Sequence, residues 1–251
     1  MIGVIGAFVI AMVVSIVGTP LLIKFLVNNE YGQFIRHDGP TSHHVKRGTP
    51  TMGGLVIILA AVVGTFAGSG LNGNWPRYSA WLLMLLLVGL GAIGFLDDYI
   101  KISRHRSLGL APWAKIVGQL AVATTFSVLA LQDPGGTGLT PASMKVSIWG
   151  STSINLAFAG AGLGAVLFVL WVNLLAASWS NAVNVTDGLD GLATGVSIAS
   201  FAGYILVAFW QFSQSCVRVA EPGLGCYATR DPLAIAIVAA AIVGALVGFL
   251  W

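Results

Sequence analysis

The sequence predicts an all-α polytopic membrane protein with about seven transmembrane helices in 251 residues. Three observations lead there. Hydrophobic residues make up 57% of the chain and charged residues 8%, roughly a third of what a water-facing domain carries. Seven apolar stretches reach or approach the roughly 20 residues that a helix needs to cross a hydrocarbon core of about 30 Å. None of the 12 basic or 9 acidic side chains falls inside them, as the cost of about 2.5–3.5 kcal/mol for an ionised group at mid-bilayer demands. The same composition excludes a water-soluble domain. With 8 Trp and 12 Phe it also excludes a disordered chain. Two cysteines are too few for a disulfide scaffold or a four-cysteine metal site.

The stretches run over about 2–23, 52–71, 79–96, 116–131, 154–178, 193–210 and 232–251. Only Met1 and Ile2 precede the first run and Lys24 follows it, so it reads as a retained span rather than a cleaved leader. The fourth is the shortest and contains Gln119; it can extend toward Trp113. Basic residues set the orientation. Lys24, Arg36, Lys46 and Arg47 flank or fill the first loop, and Lys101, Arg104, Arg106 and Lys115 the third. The other side holds Arg77, Lys145, Arg218 and Arg230, dispersed over three loops. The first face is therefore expected to be cytoplasmic and the N-terminus outside, with cytoplasmic loops at about 24–51, 97–115 and 179–192. His37, His43, His44 and His105 share the basic face. Net charge +3 and a pI near 9.0 suit phosphates and anionic lipid there, and nothing suggests nucleic-acid reading.

On the external side, Asp133-Pro134-Gly135-Gly136 reads as a turn and Met144–Ile148 as one strand of a small β-hairpin. Cys216 and Cys226 share the last external loop, where a disulfide and two free thiols are both open. The chain reads as a single integral membrane domain over 1–251. It stops at Phe249-Leu250-Trp251 without a polar anchor, so a C-terminally truncated fragment is expected.

Three segments on the basic face carry residues that spanning a bilayer does not require. Ser42–Gly54 holds Lys46, Arg47, Thr51 and several glycines just before the second span. It can hold an anion at a helix N-terminus, or act as a basic anchor with a helix cap at Thr51. Asp97 and Asp98 end the third span; on a continuing helix, Lys101 shares a face with Asp97, and Asp98 is turned about 100° away. Two adjacent carboxylates need hydration, a proton or a cation. A solvated ion-paired helix end is one reading; the other is Mg²⁺, which takes hard oxygens and keeps waters and phosphate as ligands. The third segment spaces Asn181, Asn184, Asp187 and Asp190 three apart in a run without Lys or Arg. Helical backbone would align them in one polar stripe, whereas the Asp-Gly-Leu repeat favours turns with close backbone approach to a ligand. Carboxylates, amides and lysines on one face are the set that phosphoryl transfer uses.

Those residues also carry a family likeness. Lys46-Arg47-Gly48-Thr49-Pro50-Thr51-Met52-Gly53-Gly54, Asp97-Asp98-x-x-Lys101, and Asn181-x-x-Asn184-x-x-Asp187-Gly188-Leu189-Asp190-Gly191-Leu192 resemble, in order and on the expected face, the phospho-N-acetylmuramoyl-pentapeptide transferase (MraY) family. The resemblance spans essentially the whole chain. It implies Mg²⁺-dependent transfer of phospho-N-acetylmuramoyl-pentapeptide from UDP-MurNAc-pentapeptide to undecaprenyl phosphate, giving lipid I and UMP for peptidoglycan synthesis. It implies a multi-pass protein of the bacterial cytoplasmic membrane with its active face cytoplasmic, and admits a homodimer. Asp97 and Asp98, with Lys101 nearby, match the catalytic and metal region. Lys46 and Thr51 match positions facing the nucleoside; Asn181, Asn184, Asp187 and Asp190 match the uridine- and sugar-side segment. Lys115 and Gln119 resemble a Lys-x-x-x-Gln pair near the lipid phosphate. The family pattern has about ten spans, with a third aspartate in a Met-Gly-Asp-Thr-Gly-Ser stretch and a triple histidine, both beyond Trp251. An aspartate acting as base for direct attack on the β-phosphate and an aspartate forming a phospho-enzyme are both open. The rivals are a polyprenyl-phosphate N-acetylglucosamine-1-phosphate transferase, an inactive truncated subunit, and a transporter. A transporter would place ionisable groups near the midplane; here the acids lie at span ends or in loops.

Overall fold

The structure is a computed structural model that describes residues 1–29, 31, 52–104, 108–133, 139–147, 151–186, 191–216, 226 and 229–251, without the side chains of 151–153. Within them lie helices α1 (Ile2–Asn28), α2 (Gly54–Leu71), α3 (Tyr78–Ser103) and α4 (Pro112–Ala130), then strands β1 (Lys145–Ser147) and β2 (Ser151–Asn155). Helices α5 (Ala161–Thr186), α6 (Leu192–Ser213) and α7 (Pro232–Leu250) follow. All seven helices are long and apolar enough to cross a membrane. The protein is an all-α multi-pass membrane protein, and the hairpin is its only sheet among the described residues.

The fourth and fifth helices depart from the sequence reading. The fourth helix begins at Pro112 rather than about 116, because proline fits the first helical turn, where its missing N–H has no partner to lose. The fifth runs over Ala161–Thr186 rather than 154–178. Its expected start is taken by β2, which pairs antiparallel with β1 (Lys145 opposite Asn155), and by a turn that ends at Gly160, φ 113. Its expected loop from 179 is helical to Thr186, since that run contains neither proline nor glycine.

Helix α7 is the buried centre, packed on α1, α2 and α6. Its face is built from Ala234, Ala236, Ala239, Ala240, Ala241, Gly244, Ala245 and Gly248. Apolar side chains gain little by leaving lipid for one another, so helices associate by close packing of small residues. The interface shows it: a Cβ on Gly244 would strike the backbone carbonyl of Phe8, and one on Gly64 would lie 2.7 Å from both the Ala11 Cβ and the Ala7 oxygen. Helices α3, α4 and α5 pack in sequence as a second group. There Asn173 Nδ2 donates to Thr124 Oγ1 (3.1 Å) and to the Val169 carbonyl (2.8 Å), which satisfies an amide inside the fifth span.

The helices alternate in direction. At one end, Asp231 Oδ1 lies 2.7 Å from Arg77 Nη1 and its Oδ2 accepts a hydrogen bond from Ser79 Oγ at 2.9 Å, tying α3 to α7. Cys216 and Cys226, open in the sequence reading, form a disulfide at that end. The opposite end gathers the termini of α2 to α6 that carry Lys101, Lys115 and Asn184.

Candidate active site

Helix α3 continues about two turns past its apolar segment 79–96, and those turns carry Asp97, Asp98 and Lys101. Lys101 Nζ lies 2.7 Å from Asp97 Oδ2 and 3.0 Å from Asp98 Oδ1. The i,i+4 contact follows from helical spacing. The i,i+3 contact shows that the flexible lysine stem spans the turn that separates the two carboxylates. Asp97 Oδ1 accepts the Leu110 backbone N–H at 2.8 Å, so both Asp97 oxygens are engaged. Asp98 Oδ2 has no hydrogen-bond partner among the described residues.

Beyond the apolar segment, burial raises the Asp97 carboxyl. The Lys101 hydrogen bond, the Leu110 amide and the charges of Lys101 and Lys115 outweigh it and hold Asp97 below its ordinary value. Burial likewise lowers Lys101, while its hydrogen bonds and charge contacts with both aspartates hold it above its ordinary value. The pair is therefore kept ionised from both sides.

A cavity of about 580 Å³ lies between the two helix groups, with Asp97, Asp98, Lys101, Lys115, Gln119 and Asn184 in its wall. Leu55 and Ile58 of α2 with Val88 and Phe95 of α3 make an apolar flank. Met52 stands at its edge with φ 74, a left-handed backbone that costs a non-glycine residue about 1 kcal/mol or more. Asn181 is outside the cavity lining; its Nδ2 reaches Gln119 Oε1 at 3.3 Å. Lys46, Thr51, Asp187 and Asp190, with the four histidines, lie outside the described residues, and so does a cap at Thr51; the N-cap of α2 is Gly53.

Among the described residues no group of three or more His, Cys, Asp or Glu side chains is placed to hold a metal ion. The two carboxylates nevertheless fit Mg²⁺, which takes one or two protein carboxylates and completes its shell with water and phosphate oxygen. Lys101 already places one positive charge between them. Across the cavity stand Lys115 and the buried Gln119, 2% exposed, so acceptor oxygens face N–H donors.

Two contributors escape a sequence reading. Gly109 lets the segment after α3 fold onto Asp97: a Cβ there would collide with Asp97 Oδ1 and lie 2.7 Å from its Cγ. Its signal is a glycine in the short gap between α3 and Pro112. Ser180 lines the cavity and accepts from Gln119 Nε2 at 3.0 Å. Its signal is the i,i+4 spacing to Asn184.

Comparison with known proteins places these residues in a lineage. Residues 80–251 match glycosyl transferase family 4, and residues 46–58 match phospho-N-acetylmuramoyl-pentapeptide-transferase signature 1. A phospho-N-acetylmuramoyl-pentapeptide-transferase of Beutenbergia cavernae is 57% identical over 251 residues, all of this chain and 70% of the relative. Its namesake in Kineococcus radiotolerans is 53% identical over 98% of this chain and 68% of its own length. Another, from an Arthrobacter species, is 51% identical over 96% and 68% respectively.

Proposed function

This chain belongs to the phospho-N-acetylmuramoyl-pentapeptide transferase family, and from that membership we propose that it transfers phospho-N-acetylmuramoyl-pentapeptide from UDP-MurNAc-pentapeptide to undecaprenyl phosphate, releasing UMP and forming lipid I. The observation that carries this reading is the convergence of Asp97, Asp98, Lys101, Lys115, Gln119 and Asn184 on one cavity at the basic end of the bundle. The distribution of Lys and Arg supports a cytoplasmic orientation for that end, and family membership supports a bacterial cytoplasmic membrane.

Mg²⁺ is the metal this reading requires; Asp97 and Asp98 would hold it, and it would neutralise phosphate oxygens. The chain's own groups do the rest. Lys115 and Gln119 hold a phosphate by its oxygens. Lys101 fixes the carboxylate pair. Asp98 Oδ2, the oxygen without a partner among the described residues, takes the proton of the acceptor phosphate. The acceptor oxygen then forms a bond to the β-phosphorus, the β-phosphorus bond to the bridging oxygen breaks, and its electron pair leaves with UMP. Asp97, with both oxygens engaged, positions rather than attacks. Lys46, Thr51, Asp187 and Asp190 are assigned to the nucleoside and sugar. Support comes from Met52, Asn184 and Ala193, which border those segments in sequence and line the cavity. The apolar flank suits the first units of the polyprenyl chain.

The test is UMP release from UDP-MurNAc-pentapeptide with undecaprenyl phosphate, with and without Mg²⁺. Release that depends on both the lipid and the metal is expected. Release indifferent to the lipid overturns the reading, whereas a sugar-phosphate trapped on Asp97 overturns the direct route and leaves the transfer itself standing.

A further inference from the structure

Gln119 is buried at 2% exposure, and an amide so enclosed has two possible orientations with opposite chemistry. Its neighbours choose one. Asn181 Nδ2 donates to the Ala177 carbonyl at 2.8 Å, one helical turn back on α5. A backbone carbonyl only accepts, so the Asn181 amide must turn its NH₂ group this way. The same Nδ2 then meets Gln119 at 3.3 Å, which must answer with its oxygen. Gln119 Nε2 is left to face Ser180 Oγ at 3.0 Å. Ser180 accepts there, and its own hydroxyl proton has no acceptor among the described residues. Both Gln119 and Ser180 line the cavity beside Lys115, whereas Asn181 does not.

We infer that Asn181 is a positioning residue acting through Gln119, and that the Ser180 hydroxyl joins Gln119 Nε2 and Lys115 as a donor to a phosphate oxygen of substrate. The inference rests on the transferase reading and refines it. The relay starts from a backbone carbonyl that cannot invert, so the donor face is fixed before substrate arrives, and no ordering cost falls on binding. An inverted Gln119 would present its oxygen to the anion, and repulsion would replace a hydrogen bond. The phosphate belongs to the lipid acceptor or to the nucleotide; the chemistry is shared and the experiment separates them.

The chain, purified in nanodiscs, is titrated with undecaprenyl phosphate against undecaprenol, and with UDP against uridine. Ser180→Ala and Asn181→Leu are each expected to weaken one phosphate ligand about tenfold, the scale of a hydrogen bond to a charged group, with its phosphate-free counterpart unchanged. The pair that moves identifies the source. Ser180→Thr restores the hydroxyl and the affinity. In a Gln119→Leu background, Asn181→Leu adds nothing, because the residue it acts through is gone. Should both variants hold phosphate within twofold of the parent while Lys115→Ala loses it, the relay is overturned and the phosphate site stands. Equal losses for phosphate and phosphate-free ligands mean a merely structural role and also overturn it. If the parent prefers neither phosphate over its counterpart, the transferase reading falls first.

Discussion

Leu110 donates its backbone N–H to Asp97 Oδ1 at 2.8 Å, closing a 13-residue interval of chain onto the carboxylate pair. Gly109 permits the approach, because a Cβ there would overlap the aspartate. Gly109→Ala should push the segment away and remove one hydrogen bond from a charged acceptor. Turnover, followed as UMP release, is expected to fall about tenfold or more with all seven helices still inserted. Unchanged turnover would show that Asp97 does not depend on this contact.

Among the described residues, Asp98 is the carboxylate of the pair with one oxygen unengaged. Asp98→Asn keeps the shape and removes the proposed base, so turnover should drop by about 10²–10⁴-fold while detergent extraction and thermal unfolding stay as in the parent. Near-normal turnover in this variant would refute the assigned role.

Lys101 holds Asp97 below its ordinary value, against burial. The contact therefore stabilises the fold above the ordinary carboxylate value and is lost as pH falls through the lowered one. On the alkaline side Lys101 is held above its ordinary value, so the contact persists until pH rises through that raised value. Lys101→Met leaves burial without its strongest opponent, and Asp97 should protonate at a higher pH. Infrared titration of ¹³C-labelled aspartate in metal-free protein reads the change. An Asp97 that does not move, or moves down, contradicts the geometry.

Gly244 meets the Phe8 carbonyl where α7 crosses α1. Gly244→Val should separate the helices and cost about 1–3 kcal/mol or more, seen as a lower thermal midpoint in detergent. Gly70, with open space around its Cβ position, is the control: Gly70→Ala should leave the midpoint close to the parent's.

The seven spans were legible because lipid imposes a length and forbids charge, and both show in composition. The paired aspartates drew notice because adjacent carboxylates at a span end repel unless water, a proton or a cation intervenes, and the structure supplies Lys101. The start of α5 was not, since the apolar run from 154 satisfies a helix and a strand equally; pairing with β1, a contact between separate segments, decided it. Nor did helical spacing alone show Lys101 reaching Asp98, which depends on a lysine rotamer. Gly109 and Ser180 act through what approaches them in space, and one chain read in order does not display approach. Asn181 stood out in the sequence beside Asn184, but its amide meets Gln119 and does not line the cavity.

The central place of α7 has a consequence for biosynthesis. Helices α1 and α2 emerge well before α7, and the surface they close upon begins 161 residues after α2 ends. At about 5–20 residues per second, that interval lasts on the order of ten to thirty seconds. Throughout it, the Phe8, Met12 and Ser15 side of α1 and the Gly64 side of α2 face lipid or a chaperoning insertase instead of α7. A ribosome stalled before α7 would leave a nascent chain in which α1 and α2 lack the third member of their cluster, and such a chain is a natural substrate for membrane quality control.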